Sequence, residues 1–312
     1  MPFQKVNQLS KEGIPFLIIS DFEAKNVEVH RLDALREADI EYAIDANYSY
    51  KEHPHFLKKT PLSFARYKEK FDAVIEKIKA GETYILNLTQ PTPIETDLSL
   101  REIFNIANAH YKLRVRDEFV CFSPEKFIQI EGNTIHTYPM KGTIDAALES
   151  AKEKILVNKK EMAEHIMVVD LLRNDLSIVA NNVRVEDFRY IQKIDAGNKE
   201  LLQVSSHICA TLPTNWREQL GDILKALLPA GSISGTPKKS TVDIIKRVEG
   251  YERGFFSGIF GVFDGESFDS GVMIRFIEKT KEGYCYKSGG GITLDSDAFM
   301  EYQELQDKIY LP

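Results

Sequence analysis

Cysteine is scarce, long apolar runs are absent, and no cluster of basic residues stands out in this chain. The three cysteines, Cys121, Cys209 and Cys285, are odd in number and far apart. That spacing supports neither a disulfide framework nor a zinc site, so a reducing cytoplasm is expected. No apolar stretch approaches the roughly 20 residues that cross a bilayer, and the N-terminal "MPFQKVNQLSKEG" has no apolar signal core. A membrane partner is therefore not expected. A formal net charge of −7 without a basic stripe also argues against nucleic acid. Low-complexity segments and internal repeats are missing as well. "PAGSISGTPKKST" is glycine-rich and opens a helix, but it lacks the phosphate-loop order, because Thr236-Pro237 separate the last glycine from the lysine. What survives there is a helix N-terminus with Ser232 and Ser234, competent to meet an anion.

The 43% hydrophobic and 28% charged content of the 312 residues describes a folded chain with a sizeable core. "PFLIISDFE" (15–23) reads as a strand, and 45–62 as a polar, proline-bearing loop. Ser63 caps a helix, "SFARYKEKFDAVIEKIKAG", with Phe64, Phe71, Val74, Ile75 and Ile78 on one face and Gly81 past its end. "TYILNLTQ" follows as a strand. Residues 119–138 predict one hairpin turning at Gly132-Asn133. A helix over 149–176 comes next, and its half "HIMVVDLLRNDL" reads as apolar nearly all round. "VRVEDFRYIQKI" and "LLQVSSHICATL" read as strands, "WREQLGDILKALL" and "STVDIIKRVEG" as helices. The stretch from "GIFGVF" to "SGGGI" predicts a three-stranded meander with turns at Asp264-Gly265 and Glu282-Gly283, and "DAFMEYQELQDKIY" a closing helix. Hairpins grouped between helices indicate an α+β fold.

Several residues carry two readings each. Lys141, between Pro139 and Gly142 in "HTYPMKGTID", is either a solvated turn cation or an amine offered to a substrate. Glu301, Glu304 and Lys308 fall within roughly 60° of one another on the closing helix. Two carboxylates one turn apart suit a hard cation such as Mg²⁺, or simply form a solvated strip with a Glu304–Lys308 pair. Glu164 enters a buried stretch and needs a partner, either a metal or a cation such as Arg173. Asp170 and Arg173 make a structural ion pair. Glu125, in "SPEKF", could meet Lys141 as a general acid beside a nucleophile or as a salt bridge. "SGGGIT" allows close backbone approach by a ligand, or forms a flexible turn.

Taken together, "SPEKF", "YPMKGT", "EHIMVVDLLRNDL", "PAGSISGTPKK", "GIFGVF", "GVMIRF" and "GGGITLDSDAFMEYQELQDK" resemble the chorismate-utilising enzymes, in that family's order from about residue 63 to the end. That family includes the anthranilate, aminodeoxychorismate, isochorismate and salicylate synthases. The resemblance implies one chorismate-binding domain over 1–312, with a shortened N-terminal part (1–62) and a catalytic core (63–312). It also implies two packed antiparallel β-sheets with helices on their outer faces. Glu164, Glu301 and Glu304 are then the expected Mg²⁺ ligands, holding the C1 carboxylate of chorismate. Arg275, Lys308 and the backbone of Gly289, Gly290 and Gly291 would contact the other carboxylate. His207 and Ser232 would lie near the ring and its leaving C4 hydroxyl, with Glu125 as general acid.

Lys141 discriminates within the family. "PMKGT" is similar to the lysine-bearing loop of aminodeoxychorismate synthases, where anthranilate synthases have alanine. The implied chemistry has Lys141 attack C2 of chorismate, and ammonia then adds at C4 to give 4-amino-4-deoxychorismate in the folate pathway. Attack requires a neutral amine, which desolvation or nearby positive charge would favour. No amidotransferase signature is present, so a separate glutamine amidotransferase subunit is expected to supply ammonia. Three positions depart from the family pattern: Ile85 precedes "LNLTQ" where many members have glutamine, Phe256 replaces a tyrosine, and Ser232 replaces a threonine. No tryptophan-pocket segment is found in the short N-terminal part. The alternatives are an anthranilate synthase component I and a chorismate-binding protein without turnover.

Overall fold

The run "FLIIS" is apolar at every position because both faces of its strand are covered, a pattern that alternation alone would not give. Phe16 and Ile18 enter one core cluster, Leu17 and Ile19 another. The structure, a computed structural model, describes residues 1–45, 55–195 and 200–311. Part of the loop expected at 45–62 lies outside the described residues. Within the rest of it, Leu57–Lys59 forms a short strand.

All strand pairs are antiparallel, in two sheets. In the first, the strands run in the order Met140–Asp145, Glu200–Thr211, Thr134–Thr137, Lys126–Glu131, Phe268–Val272, Ile259–Phe263, Phe16–Ser20 and Val27–Arg31, and Asn181–Asp195 also pairs with Glu200–Thr211. The second orders Gly235–Thr236, Ile85–Thr96, Gly283–Ile292, Phe276–Thr280, Phe119–Ser123, Tyr111–Val115 and Ile40–Ile44, with Leu57–Lys59 beside Ile85–Thr96. The N-terminal part thus contributes strands to both sheets.

Leu17, Ile19 and Phe260 of the first sheet meet Tyr111, Leu113, Phe119 and Phe276 of the second, forming the layer between the sheets. Helices Pro2–Lys11 and Lys159–Val179 pack on strands of the first sheet, with Leu220–Leu227 against both helices, while Phe64–Lys79, Lys238–Glu249 and Leu100–Ile106 pack on strands of the second. The fold is α+β, with two packed antiparallel sheets and outer helices. Among the described residues no helix is long and apolar enough to cross a membrane.

The structure corrects three of the expected elements. Residues 119–138 are not one hairpin. Phe119–Ser123 belongs to the second sheet, Lys126–Glu131 and Thr134–Thr137 to the first. Pro124 has no N–H to give a ladder, and the chain leaves the sheet there. The expected three-stranded meander is likewise two hairpins, one in each sheet, split at Met273–Arg275. The two crossings run side by side: Val272 N–H donates to Glu125 O (3.0 Å) and Phe122 N–H to Arg275 O (3.2 Å). The helix expected over 149–176 is two helices, Ala151–Val157 and Lys159–Val179. Asn158 adopts an extended conformation between them, and its Oδ1 accepts from Glu161 N–H (3.2 Å), which starts the second helix. That helix is also not apolar all round, since Ile166, Asp170, Arg173 and Asn174 form an exposed stripe. Asp170 and Arg173 do pair, at 3.3 Å.

Candidate active site

Where strand Met140–Asp145 runs along Glu200–Thr211, the register slips between Met140 and Thr143. The slip is a bulge, and Gly142 takes a φ of +85°, which glycine adopts without strain. A bulge re-aims the side chains beside it, and this one carries Lys141. The Lys141 Nζ lies 3.3 Å from the point a Cβ on Gly291 would occupy. Gly291 is the last residue but one of the strand Gly283–Ile292, whose Gly289 could not be alanine: its Cβ would fall 2.6 Å from Leu88 O and 2.5 Å from the Thr89 methyl.

The closing helix, Ala298–Asp307, is started by Asp297, whose carboxylate accepts the Phe299 and Met300 N–H groups. It delivers Glu301 and Glu304 to Gly290, where a Cβ would be 3.3 Å and 3.8 Å from their respective carboxylate oxygens. Lys308 follows the helix and donates to Gly289 O (2.8 Å) and pairs with Glu304 (2.7 Å). The sheet crossings supply Glu125 and Arg275, the latter with a φ of +51°. Ser232, in a short turn before helix Lys238–Glu249, donates its hydroxyl to Glu125.

Glu125, Lys141, Ser232, Arg275, Gly289, Gly290, Gly291 and Lys308 thereby line one cleft, with Asn87, Phe256, Tyr286 and Lys287. Its cavity volume is about 90 Å³. Lys287 Nζ is already held by Glu278 (2.8 Å) and Arg253 O (2.9 Å), which leaves Lys141, Arg275 and Lys308 beside Glu125 to favour an anion, although the whole chain is acidic. The model of the chorismate binding enzyme family matches residues 7–311. The chain belongs to that family.

An uncharacterised PabA-like protein of Haemophilus influenzae is 45% identical over 313 residues, covering 99% of this chain and 95% of its own length. Aminodeoxychorismate synthase component 1 of Escherichia coli is 33% identical over 262 residues, which is 78% of this chain but 56% of that one. Anthranilate synthase component 1 of Archaeoglobus fulgidus is 32% identical over 258 residues, covering 78% of this chain and 61% of its own. The chain thus spans little more than half of each of those two synthase components. Among solved structures, the menaquinone-specific isochorismate synthase of Escherichia coli superposes with a TM-score of 0.74 over 97% of this chain and 79% of its own, at 15% identity. At that identity the likeness is one of fold.

In this member of the chorismate binding family, burial raises the pKa of Glu125. The Ser232 hydrogen bond and the charges of Lys141, Arg275 and Lys308 only partly offset it. Burial also lowers the pKa of Lys308, against the pull of Glu304. Glu301 is almost fully buried and accepts the Ser296 hydroxyl (2.8 Å). Glu164 is buried on helix Lys159–Val179. Among the described residues no three carboxylate, imidazole or thiolate groups are arranged to hold an ion, so Glu164 does not complete a cage with Glu301 and Glu304. Their all-oxygen chemistry still fits Mg²⁺, which is usually held by one or two carboxylates with substrate and water supplying the rest.

His207 does not reach the cleft. Strand alternation turns Ser206 toward the helix, where its Oγ meets His165 Nε2 at 2.7 Å. His207 faces the other way, stacked on Tyr138 (4.7 Å between centroids, 8° between planes) and 2.9 Å from His136 Nδ1. The histidine on the helix side is the fully buried His165, whose pKa falls to about 4 through burial and the nearby charges of Arg189 and Lys141.

Sequence reasoning missed Asn87, Tyr286 and Lys287, and also Glu161, whose Oε2 is 3.3 Å from where a Gly142 Cβ would be. It missed Arg253 too, which braces the cleft from behind. Arg253 Nη1 donates to Ile233 O (2.9 Å) and Nη2 to Asn87 O (2.6 Å), while Nε and Nη2 clamp Glu249 (2.9 and 2.6 Å). Glu249 and Arg253 are 2% and 3% exposed, so neither charge has water to fall back on. Arg253→Met, which strands the Glu249 carboxylate, is expected to cost about 3–5 kcal/mol in urea denaturation. A loss below about 1 kcal/mol would mean the pair is not holding this wall.

Proposed function

We propose that the chain aminates chorismate at C4 with ammonia, yielding 4-amino-4-deoxychorismate with the enolpyruvyl group retained. The observation that carries this reading is the Lys141 amine sharing one small cationic cleft with Glu125, a carboxyl whose pKa is raised. Arg275, Lys308 and the backbone of Gly289–Gly291 bind one substrate carboxylate. Glu301 and Glu304 would hold Mg²⁺ against the other. When bound, Mg²⁺ supplies Lewis acidity and fixed positive charge at that carboxylate.

In this reading, Lys141 Nζ attacks C2, the ring double bonds shift and the C4–O bond breaks. Glu125 protonates the departing oxygen, which leaves as water. Ammonia then adds at C4, the double bonds return and the C2–N bond to Lys141 is released. Dividing one difficult displacement into two is what covalent catalysis offers. The ammonia comes from a separate glutamine amidotransferase subunit. The enzyme works in the cytoplasm, where Cys121, Cys209 and Cys285, all free and buried, stay reduced.

The likeness to an anthranilate synthase component, at an identity similar to that of the aminodeoxychorismate one, favours a second reading in which pyruvate is eliminated. Incubation with chorismate, Mg²⁺ and an ammonium salt separates the two. The expected product is 4-amino-4-deoxychorismate, converted to p-aminobenzoate only after a lyase is added. Anthranilate forming without the lyase would overturn the assignment. Removing the metal with EDTA is expected to stop turnover, and added Mg²⁺ to restore it.

A further inference from the structure

We propose that the Tyr286 hydroxyl is a substrate-binding group, donating a hydrogen bond to a carboxylate oxygen of the ligand beside the Arg275 guanidinium. This rests on the reading that the cleft takes a carboxylate-bearing substrate, and it adds a contact that the family motifs do not provide.

Tyr286 is fully buried in strand Gly283–Ile292, its ring packed edge-on to Phe122 (6.4 Å) within the cluster that holds Ile277, Ile309 and Leu311. Phenylalanine would fill that space equally well. Yet the hydroxyl is there, sealed from solvent, and makes no hydrogen bond of normal geometry among the described residues. The Tyr310 backbone N–H approaches its oxygen, which leaves the hydroxyl proton without an acceptor. Buried polar groups are almost always paired, so an unpaired one calls for a reason.

The surroundings supply it. Tyr286 lines the cleft together with Arg275, and the Arg275 Nε is held by the Tyr310 hydroxyl at 3.3 Å. Lys141 and Lys308 share the same walls, which favours an anionic ligand. Burial keeps the phenol protonated against the pull of the Arg275 charge, hence a donor. A carboxylate docking on Arg275 brings the missing acceptor to it. Phe256, on another wall, offers no polar atom.

Tyr286→Phe tests this with two readouts of opposite sign. Calorimetric binding of chorismate, with Mg²⁺ and without ammonia, is expected to weaken about tenfold, as for loss of a hydrogen bond to a charged group. The melting temperature of the unliganded variant is expected to stay level or rise, because an unpaired buried hydroxyl has been removed. Unchanged affinity overturns the inference, and so does a marked fall in melting temperature, which would make the hydroxyl structural. A wild type that binds no chorismate defeats both this inference and the proposed function. A wild type that binds chorismate, loses affinity in Tyr286→Phe and still aminates nothing defeats the proposed reaction alone.

Discussion

Lys141→Ala is expected to reduce chorismate amination by roughly 10³-fold or more while leaving the fold intact. The residue sits on a bulge, is partly exposed to the cleft and supports no core contact, so truncation removes an amine and little else. The decisive measurement is intact mass. Wild type mixed with chorismate and no ammonia should gain the mass of chorismate less one water, and Lys141→Ala should gain nothing. Mg²⁺ affinity should be nearly the same in both, because the expected ligands lie on other elements. Undiminished turnover in the variant would sink the covalent step.

Glu125→Gln is expected to lower turnover by about 10²–10⁴-fold, the usual worth of a positioned proton donor. Its pH behaviour follows from burial. Glu125 must be protonated to act, and its pKa is raised, so activity in the wild type falls as pH rises through that value. Ser232→Ala removes a donor that favours the ionised form, and so should move this alkaline limb to higher pH. Stability follows the same sign. With the folded pKa above the unfolded 4.5, the folded state holds more protons in that window, and stability is lost as pH rises across it. Glu125→Gln should lack that loss and resist urea better than wild type on the alkaline side. Denaturation midpoints that run parallel with pH in both proteins would contradict it.

The elements legible in the sequence are those fixed by local chemistry. Ser63 and Gly81 do bracket Phe64–Lys79, and Gly250, with φ +69°, does end Lys238–Glu249. The sheet assignment was not legible, because hairpin reasoning joins each strand to its neighbour in sequence, whereas packing decides which layer a strand enters. Pro124 was the available clue to the first crossing, and "NKKE", an N-cap followed by glutamate at the third helical position, to the break at Asn158. The site was legible where a loop motif carried it: Lys141, Glu125, Ser232, Arg275, the glycines and Lys308 share the cleft. His207 was not, since one step along a strand reverses its face. Tyr286 and Arg253 were hidden for another reason. An aromatic in an apolar strand reads as core, and only the geometry of its hydroxyl distinguishes it.

The two neighbouring crossings also dictate where the molecule can be altered. The hairpin tip at 281–283 is exposed, and nothing lies within 4 Å of an added Gly283 side chain. Six residues at about 3.3 Å each put it roughly 20 Å along the strand from Gly289. A fluorophore or immobilisation handle belongs there. A single inserted residue at Pro124 or Ile274 would rotate the following strand by half a turn and point its carboxyl or guanidinium away from its tethered neighbour.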